Sequence, residues 1–365
     1  MSSLQSFTAL GLASGSELDG LRAAIITTDG VDVFDCGENF EFPYDGDLRD
    51  ELRQLQKNRM KTTEEQRQSA NEKFSDFCIA AAKEIVTDNP QINLIGWGGH
   101  IICHQPSEHK LYQLGDCKKM AQELKIATVG RFRNADILAG GLGAPMSAIY
   151  YAALAQNMPK PLAFVCVGGV STVFYIGQNG ELLAYDAGPG NAVINEWVDR
   201  HGGMHQDYNG RLAISGKVQD EIMQSLMKHK FLSQVPPKIA DKSTFADKME
   251  HLEGLSLEDG AATATAWVAE GIAKAIKDFM PEMPEKIVVC GNGVANPTLM
   301  RFIRQKMSGA TVCVAEDCGW CARGIEPQAF AFLAVRRCNR MPTSYPFTTG
   351  AAGEVIGGEV FAGQD

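Results

Sequence analysis

The sequence predicts an α/β protein made of two similar domains around a central cleft. Three observations lead there. Apolar, β-branched runs end repeatedly at glycine. Hairpin-like pairs of runs are followed by strand–helix alternation. That succession occurs once in each half of the chain.

Residues 9–12 run into Ala13-Ser14-Gly15. Residues 21–27 pass through the turn Asp29-Gly30 into residues 31–34, so consecutive hairpin strands are expected. Residues 47–87 are polar with spaced apolar positions and read as two helices. Residues 93–97 read as a short buried strand, and residues 114–124 as a helix opening after Gly115-Asp116. In the second half, residues 163–167 form a strand ending at Gly168-Gly169. Residues 172–176 and 182–185 continue it across the turn Asn179-Gly180. Helices are expected at 192–199, 259–279, 300–307 and 327–339, with strands at 286–290 and 310–314. The Gly-rich tail from Thr349 is expected to loop back over the body. A boundary near residue 130 divides the chain into domains 1–130 and 131–365, the final segment returning to the first.

The 365 residues suit two domains. A net charge of −10 argues against nucleic acid and anionic membranes as partners. It leaves room for a small anionic ligand held by backbone amides. No apolar run of about 18 residues predicts a membrane helix, and Met1-Ser2-Ser3 lacks the basic start of a secretory signal. Ten cysteines scattered through apolar runs read as reduced core residues, which predicts a cytoplasmic setting.

Three glycine turns follow expected strands: Gly11 to Gly20, Gly168-Gly169-Val170-Ser171-Thr172, and Gly291-Asn292-Gly293-Val294-Ala295-Asn296. Glycine lets backbone N–H groups approach an oxyanion. One such turn is weak evidence. Three, each beside hydroxyl or amide residues, favour phosphate binding. No Walker lysine and no protein-kinase signature is present. Asp186-Ala187-Gly188-Pro189-Gly190-Asn191 lies between a strand and a helix. An aspartate there can serve as a general base. A capping or turn aspartate is the alternative, and the constrained Gly-Pro-Gly-Asn run favours a shaped site.

The order and spacing of these pieces resemble the anhydro-N-acetylmuramic acid kinases, within the actin-like sugar kinase superfamily. The resemblance rests on Ala13-Ser14-Gly15-Ser16-Glu17-Leu18-Asp19-Gly20, Gln113-Leu114-Gly115-Asp116 and Phe132-Arg133-Asn134-Ala135-Asp136. It continues through Gly140-Gly141-Leu142-Gly143-Ala144-Pro145, Asp186 to Asn191, Gly291 to Pro297 and Glu326-Pro327-Gln328-Ala329-Phe330-Ala331. It implies two actin-like (ribonuclease H-like) domains, and a kinase using ATP and Mg²⁺ to open a 1,6-anhydro sugar with water and phosphorylate O6, in cell-wall recycling.

By the same resemblance Asp186 activates the water, and Arg133, His100 and Asp136 hold the sugar. Ser14, Gly15, Ser16, Asp19, Gly20, Gly168, Gly169, Gly188, Gly190, Asn191, Gly291, Gly293 and Asn296 line the nucleotide. Asp19 and Glu326 attend the metal, and a homodimer is expected. The chain departs from the family pattern at Glu17, Gly98, His100, Arg131, Leu142, Cys166 and Thr172. A kinase for a different sugar, or a non-catalytic paralogue keeping the fold, is therefore the competing reading. A carboxylate about 5 Å from a phosphate charge costs roughly 3 kcal/mol at an effective dielectric of 20. Glu17 must accordingly point away, bind the metal or oppose the phosphate. Cys318-Gly319-Trp320-Cys321 has redox spacing but reads better as a loop, and His201 with His205 is a weak metal pair across two glycines.

Overall fold

The computed structural model describes residues 4–15, 17–58, 61–105 and 110–363. Ser16 lies outside the described residues. The chain divides into two compact units, Met1–Gln156 with Gly324–Asp365, and Asn157–Arg323.

The first unit opens with three antiparallel strands, β1 (Phe7–Ser14), β2 (Gly20–Thr28) and β3 (Val33–Pro43). Helices α1 (Gly46–Lys57) and α2 (Glu64–Asp88) follow. Asp45 caps α1 by accepting from the Leu48 amide at 2.7 Å. Thr63 and Gln66 form a reciprocal capping box at α2. Then come β4 (Leu94–Trp97), the hairpin β5 (His100–Gln105) and β6 (Lys110–Leu114), α3 (Cys117–Leu124), β7 (Thr128–Gly130), α4 (Phe132–Leu138) and α5 (Ala148–Leu154).

The second unit contains β8 (Leu162–Val167), β9 (Val170–Ile176), β10 (Leu182–Pro189), α6 (Asn191–Gly202), α7 (Arg211–Ser215), α8 (Asp220–Leu226) and α9 (Ala246–Met249). It is completed by α10 (Leu257–Phe279), β11 (Lys286–Cys290), α11 (Pro297–Lys306) and β12 (Thr311–Val314). The chain then returns to the first unit as α12 (Ile325–Cys338), α13 (Pro346–Thr349) and β13 (Glu359–Phe361).

The two main sheets share one scheme. The first runs β13-β7-β4-β1-β2-β3 and the second β10-β9-β8-β11-β12. In each, three antiparallel strands adjoin two that run parallel to the first. Set β13 aside, and both orders read third, second, first, fourth, fifth. This is the ribonuclease H-like order, and the fold is α/β and actin-like.

The units divide at Gln156 and not near residue 130. The reason lies in what β7 and its successors touch. β7 pairs with β4. Asp136 of α4 accepts from Thr349 Oγ1 at 2.6 Å, and Tyr150 of α5 donates to Gln328 at 2.9 Å. The tail lies in the first unit, with β13 antiparallel to β7.

Helix α12 lies directly on strand backbone. A Cβ at Gly11 would meet the Pro327 carbonyl oxygen at 1.8 Å, and one at Gly96 the Phe330 oxygen at 2.1 Å. A Cβ at Gly98 would strike the Phe330 ring at 2.2 Å. These glycines are needed for helix–sheet approach, which fixes where Glu326 in the first turn of α12 sits.

Candidate active site

In the second unit the site is built at the C-terminal ends of β8 and β11, parallel neighbours that align Cys166 with Cys290. Gly168-Gly169 follows β8, and Gly291 to Gly293 follows β11. The second turn packs on the end of β8: a Cβ at Gly291 would lie 2.8 Å from the Val167 oxygen, and one at Gly293 2.4 Å from Val167 Cβ. Gly291 holds φ +80°, which favours glycine, and its amide donates to Ala322 O at 3.2 Å.

The start of α6 locks onto the first turn. Asn191 N donates to Gly168 O at 2.8 Å, and Ala192 N to Gly169 O at 3.2 Å. Asn191 Nδ2 donates to Val167 O at 3.4 Å. Gly190 is required because a Cβ there would sit 2.4 Å from Gly168 O. Trans peptide planes put N–H opposite C=O. The amides of Gly169 and Val170 therefore point away from α6. Gly168 itself is open, its nearest neighbour to an added Cβ being Val170 O at 3.7 Å.

Several residues expected at the nucleotide have other work. Asn191 ties the turn to the helix through both its amides. Gly188 is a packing position, where a Cβ would meet Leu232 at 2.9 Å. Asn296 is buried and caps α11, accepting from the Leu299 amide at 3.0 Å. In the first unit a Cβ at Gly20 would meet Phe42 O at 2.4 Å, so the β2–β3 pairing demands that glycine, whereas Gly15 has open space.

Asp186 sits on β10, where the register with β9 shifts between Asp186 and Gly188. Such bulges re-aim side chains. The residue is 8% exposed. Thr172 Oγ1 donates to Oδ1 at 2.7 Å, and the Ala240 amide donates to Oδ2 at 2.8 Å. Its own amide donates to Lys238 O at 3.0 Å. Lys238 is buried, and its Nζ donates to Phe231 O at 3.1 Å. Burial pushes this lysine down to about 8, against the attraction of Asp186.

In the first unit Arg22 of β2 is the centre of a charged group. It pairs with Asp19. Burial opposes its charge, but attraction to Asp19 and then Glu326, the Asp19 hydrogen bond and Glu17 together hold the guanidinium above its ordinary value. The two carboxylates expected at a metal thus surround one cation, and Glu17 has that cation to offset it.

The expected sugar residues divide. Arg133 Nη1 donates to Gly143 O at 2.5 Å, beside His104. Asp136 is fully buried and accepts from Gly143 N at 2.7 Å, Ser344 Oγ at 2.5 Å and Thr349 Oγ1 at 2.6 Å. A carboxylate so occupied shapes the Gly140 to Pro145 loop. His100 is also fully buried. Its Nδ1 meets Ser14 Oγ at 2.8 Å, its Nε2 lies 3.1 Å from Gln56 Nε2, and Tyr44 donates to Ser14 at 2.6 Å. His100 and Ser14 are therefore partners of each other. Arg131 turns to Glu359 at 3.0 Å and is half exposed.

The remaining signals are structural. Cys318 faces Cys313 at 3.9 Å rather than pairing across its redox-like spacing with Cys321, and all ten cysteines are free thiols. His201 stacks on Trp197 with ring centroids 3.8 Å apart. Among the described residues no cluster of three His, Cys, Asp or Glu forms a metal cage, and no helix is long and apolar enough to cross a membrane. Sequence reasoning missed Arg22, Thr172 as a partner of Asp186, and Lys238. Only Thr172 carried a signal, as a departure from the family's turn.

Comparison with known proteins follows the same lines. The family profile for anhydro-N-acetylmuramic acid kinase matches residues 7–363. A protein of that description from Paramagnetospirillum magneticum is 38% identical, with 96% of this chain and 98% of the relative covered. Another from Rhodopseudomonas palustris is 37% identical over 96% of this chain and 98% of the relative. A ROK family glucokinase from Streptomyces griseus, solved with glucose and AMPPNP, aligns at TM-score 0.40 and 12% identity over 90% of this chain and 99% of that one, too distant to argue from. The twice-repeated strand order and a match running the length of the chain agree: the protein belongs to the anhydro-N-acetylmuramic acid kinase family.

Proposed function

We propose that the chain is an ATP-dependent kinase that hydrolyses a 1,6-anhydro sugar of the anhydro-N-acetylmuramic acid type and phosphorylates its O6. Family membership supports the activity, and the Asp186 geometry is the observation that carries the mechanism. Asp186 has one hydrogen bond from Thr172 and one from the Ala240 amide. Both stabilise the carboxylate as an acceptor, the form a general base must hold.

Asp186 takes a proton from water, and the water oxygen bonds to C1 of the sugar. The C1–O6 bond breaks, O6 bonds to the γ-phosphorus, and ADP leaves. The product is the sugar 6-phosphate. Arg133, fixed through Gly143, orients the sugar. The Gly169 and Val170 amides, turned away from α6, donate to phosphate oxygens, and the open face at Gly168 lets the nucleotide approach.

Mg²⁺ fits the first unit. It keeps several waters and takes one or two carboxylates together with substrate phosphates, a role open to Asp19. Asp19 would hold it, with Glu326 close to the same cation-binding ground. When bound it offsets phosphate charge. We place the reaction in the cytoplasm, where ATP is at hand. Turnover of anhydro-N-acetylmuramic acid with Mg-ATP, followed by product mass, tests the proposal. The expected result is a phosphorylated, hydrated product that Asp186→Asn does not form. Full turnover by that variant refutes the assignment of the base.

A further inference from the structure

Lys238 is a buried group that the mechanism above does not use. It lies in a segment without helix or strand, where residues 234, 235 and 237 are exposed while Lys238 is 1% exposed. The ammonium has one neutral hydrogen-bond acceptor, Phe231 O at 3.1 Å. It also lies 4.9 Å from the Phe231 ring centroid and 4.6 Å from that of Phe279. Ring faces stabilise a cation, but a buried ammonium still costs stability that an apolar side chain of the same length would not. Packing alone does not call for a lysine at this position.

The same segment grips Asp186 from two sides. Lys238 O accepts from the Asp186 amide at 3.0 Å, and the Ala240 amide donates to Asp186 Oδ2 at 2.8 Å. Lys238 is thus the anchor of a strap whose backbone holds both the main chain and the carboxylate of the base. Charged groups around the ammonium are Asp186 on β10, which attracts it, and Lys274 and Asp278 on α10, which repel and attract it.

The geometry points to Lys238 as a positioning residue for Asp186, seating the strap whose backbone aims the carboxylate. This rests on the reading of Asp186 as the base. A loosened strap weakens the Ala240 hydrogen bond, which favours the ionised carboxylate, so Asp186 becomes easier to protonate and the acid side of the pH–rate profile must move.

The test compares kcat/KM against pH for the full-length wild type, Lys238→Met and Asp186→Asn, with thermal midpoints for each. Met keeps the length and the contact with both rings. The expected outcome is a folded Lys238→Met enzyme with a midpoint no lower than wild type, the KM for the sugar within about twofold, kcat reduced about tenfold or more at pH 7, and the acid limb displaced upward by about half a pH unit or more. Should Lys238→Met not fold, Lys238→Gln supplies the same reading with a donor toward Phe231 O. An unmoved acid limb in a folded variant overturns the inference, even where kcat falls. If Asp186→Asn stays active, the reading of the base fails. If Asp186→Asn is inactive and the Lys238 limb is unmoved, only the inference fails.

Discussion

Thr172 donates its hydroxyl hydrogen to Asp186 Oδ1 at 2.7 Å, across the antiparallel pair β9–β10 in which the two residues face each other. The hydroxyl orients the carboxylate while Ala240 secures the other oxygen. Thr172→Val keeps the shape and removes the donor. A hydrogen bond to a charged group is worth about 1.5–3 kcal/mol. Steady-state kinetics of Thr172→Val should show kcat lower by about 10- to 100-fold with little change in the KM for ATP.

Arg22 holds Asp19 and is attracted to Glu326 and Glu17. Arg22→Met leaves these carboxylates without their cation. Asp19 is about a third exposed, which moderates the cost. Thermal unfolding should show a loss of roughly 1–3 kcal/mol. Added Mg²⁺ should then restore more stability to the variant than to wild type, because the metal no longer competes with a guanidinium. Equal Mg²⁺ stabilisation of both proteins would argue against Asp19 and Glu326 as metal carboxylates.

Two glycines in one turn separate folding from binding. Gly190→Ala forces a methyl to 2.4 Å from Gly168 O, and rigid backbone gives little, so a loss of about 1–3 kcal/mol or more is expected by chemical denaturation. Gly168→Ala has room and should keep wild-type stability. Calorimetry with Mg-ATP should nonetheless find it weakened at least about tenfold if the open face at Gly168 receives the nucleotide.

Burial lowers Lys238 from 10.5 to about 8. The unfolded chain therefore holds the extra proton between those values. Stability contributed by this site rises with pH across that window and is flat below it. Lys238→Met carries no such dependence. The stability difference between Lys238→Met and wild type should therefore be largest near neutral pH and shrink toward pH 10, as read by urea denaturation at each pH.

Cys313 is pushed up to about 11 by burial and then by the neighbouring Cys318. Its thiolate fraction at pH 7.5 is then on the order of 10⁻³ to 10⁻⁴. Peptide mapping after brief iodoacetamide treatment should find Cys313 modified far more slowly than an ordinary exposed thiol.

Glycine-terminated runs made the sheets legible in the sequence, because buried parallel strands read as continuous apolar stretches. β3 is legible only at its start. It extends to Pro43 as an edge strand whose exposed polar positions mask it. The β5–β6 hairpin and the short helices between Gly203 and Ser256 lack the long period that would mark them in the sequence. Among site residues, Asp186 and the glycine turns could be found because backbone constraint leaves a sequence trace. The partners of Asp186 could not. Ala240 acts through its amide, which any residue but proline possesses, and Lys238 approaches from 52 positions beyond Asp186 by the fold alone. Asp136 and Asn296 carried motif signals yet serve a loop and a helix cap.

Gly11 and Gly96 leave α12 resting on peptide groups, with no side-chain cushion between helix and strand at those two points. Such a seam cannot be tuned by exchanging one apolar side chain for a larger or smaller one. Any change of spacing has to lift the helix as a body, and Glu326 with it. A substitution in the interior of a strand, remote in sequence from Glu326, would then displace that carboxylate along with the helix that carries it.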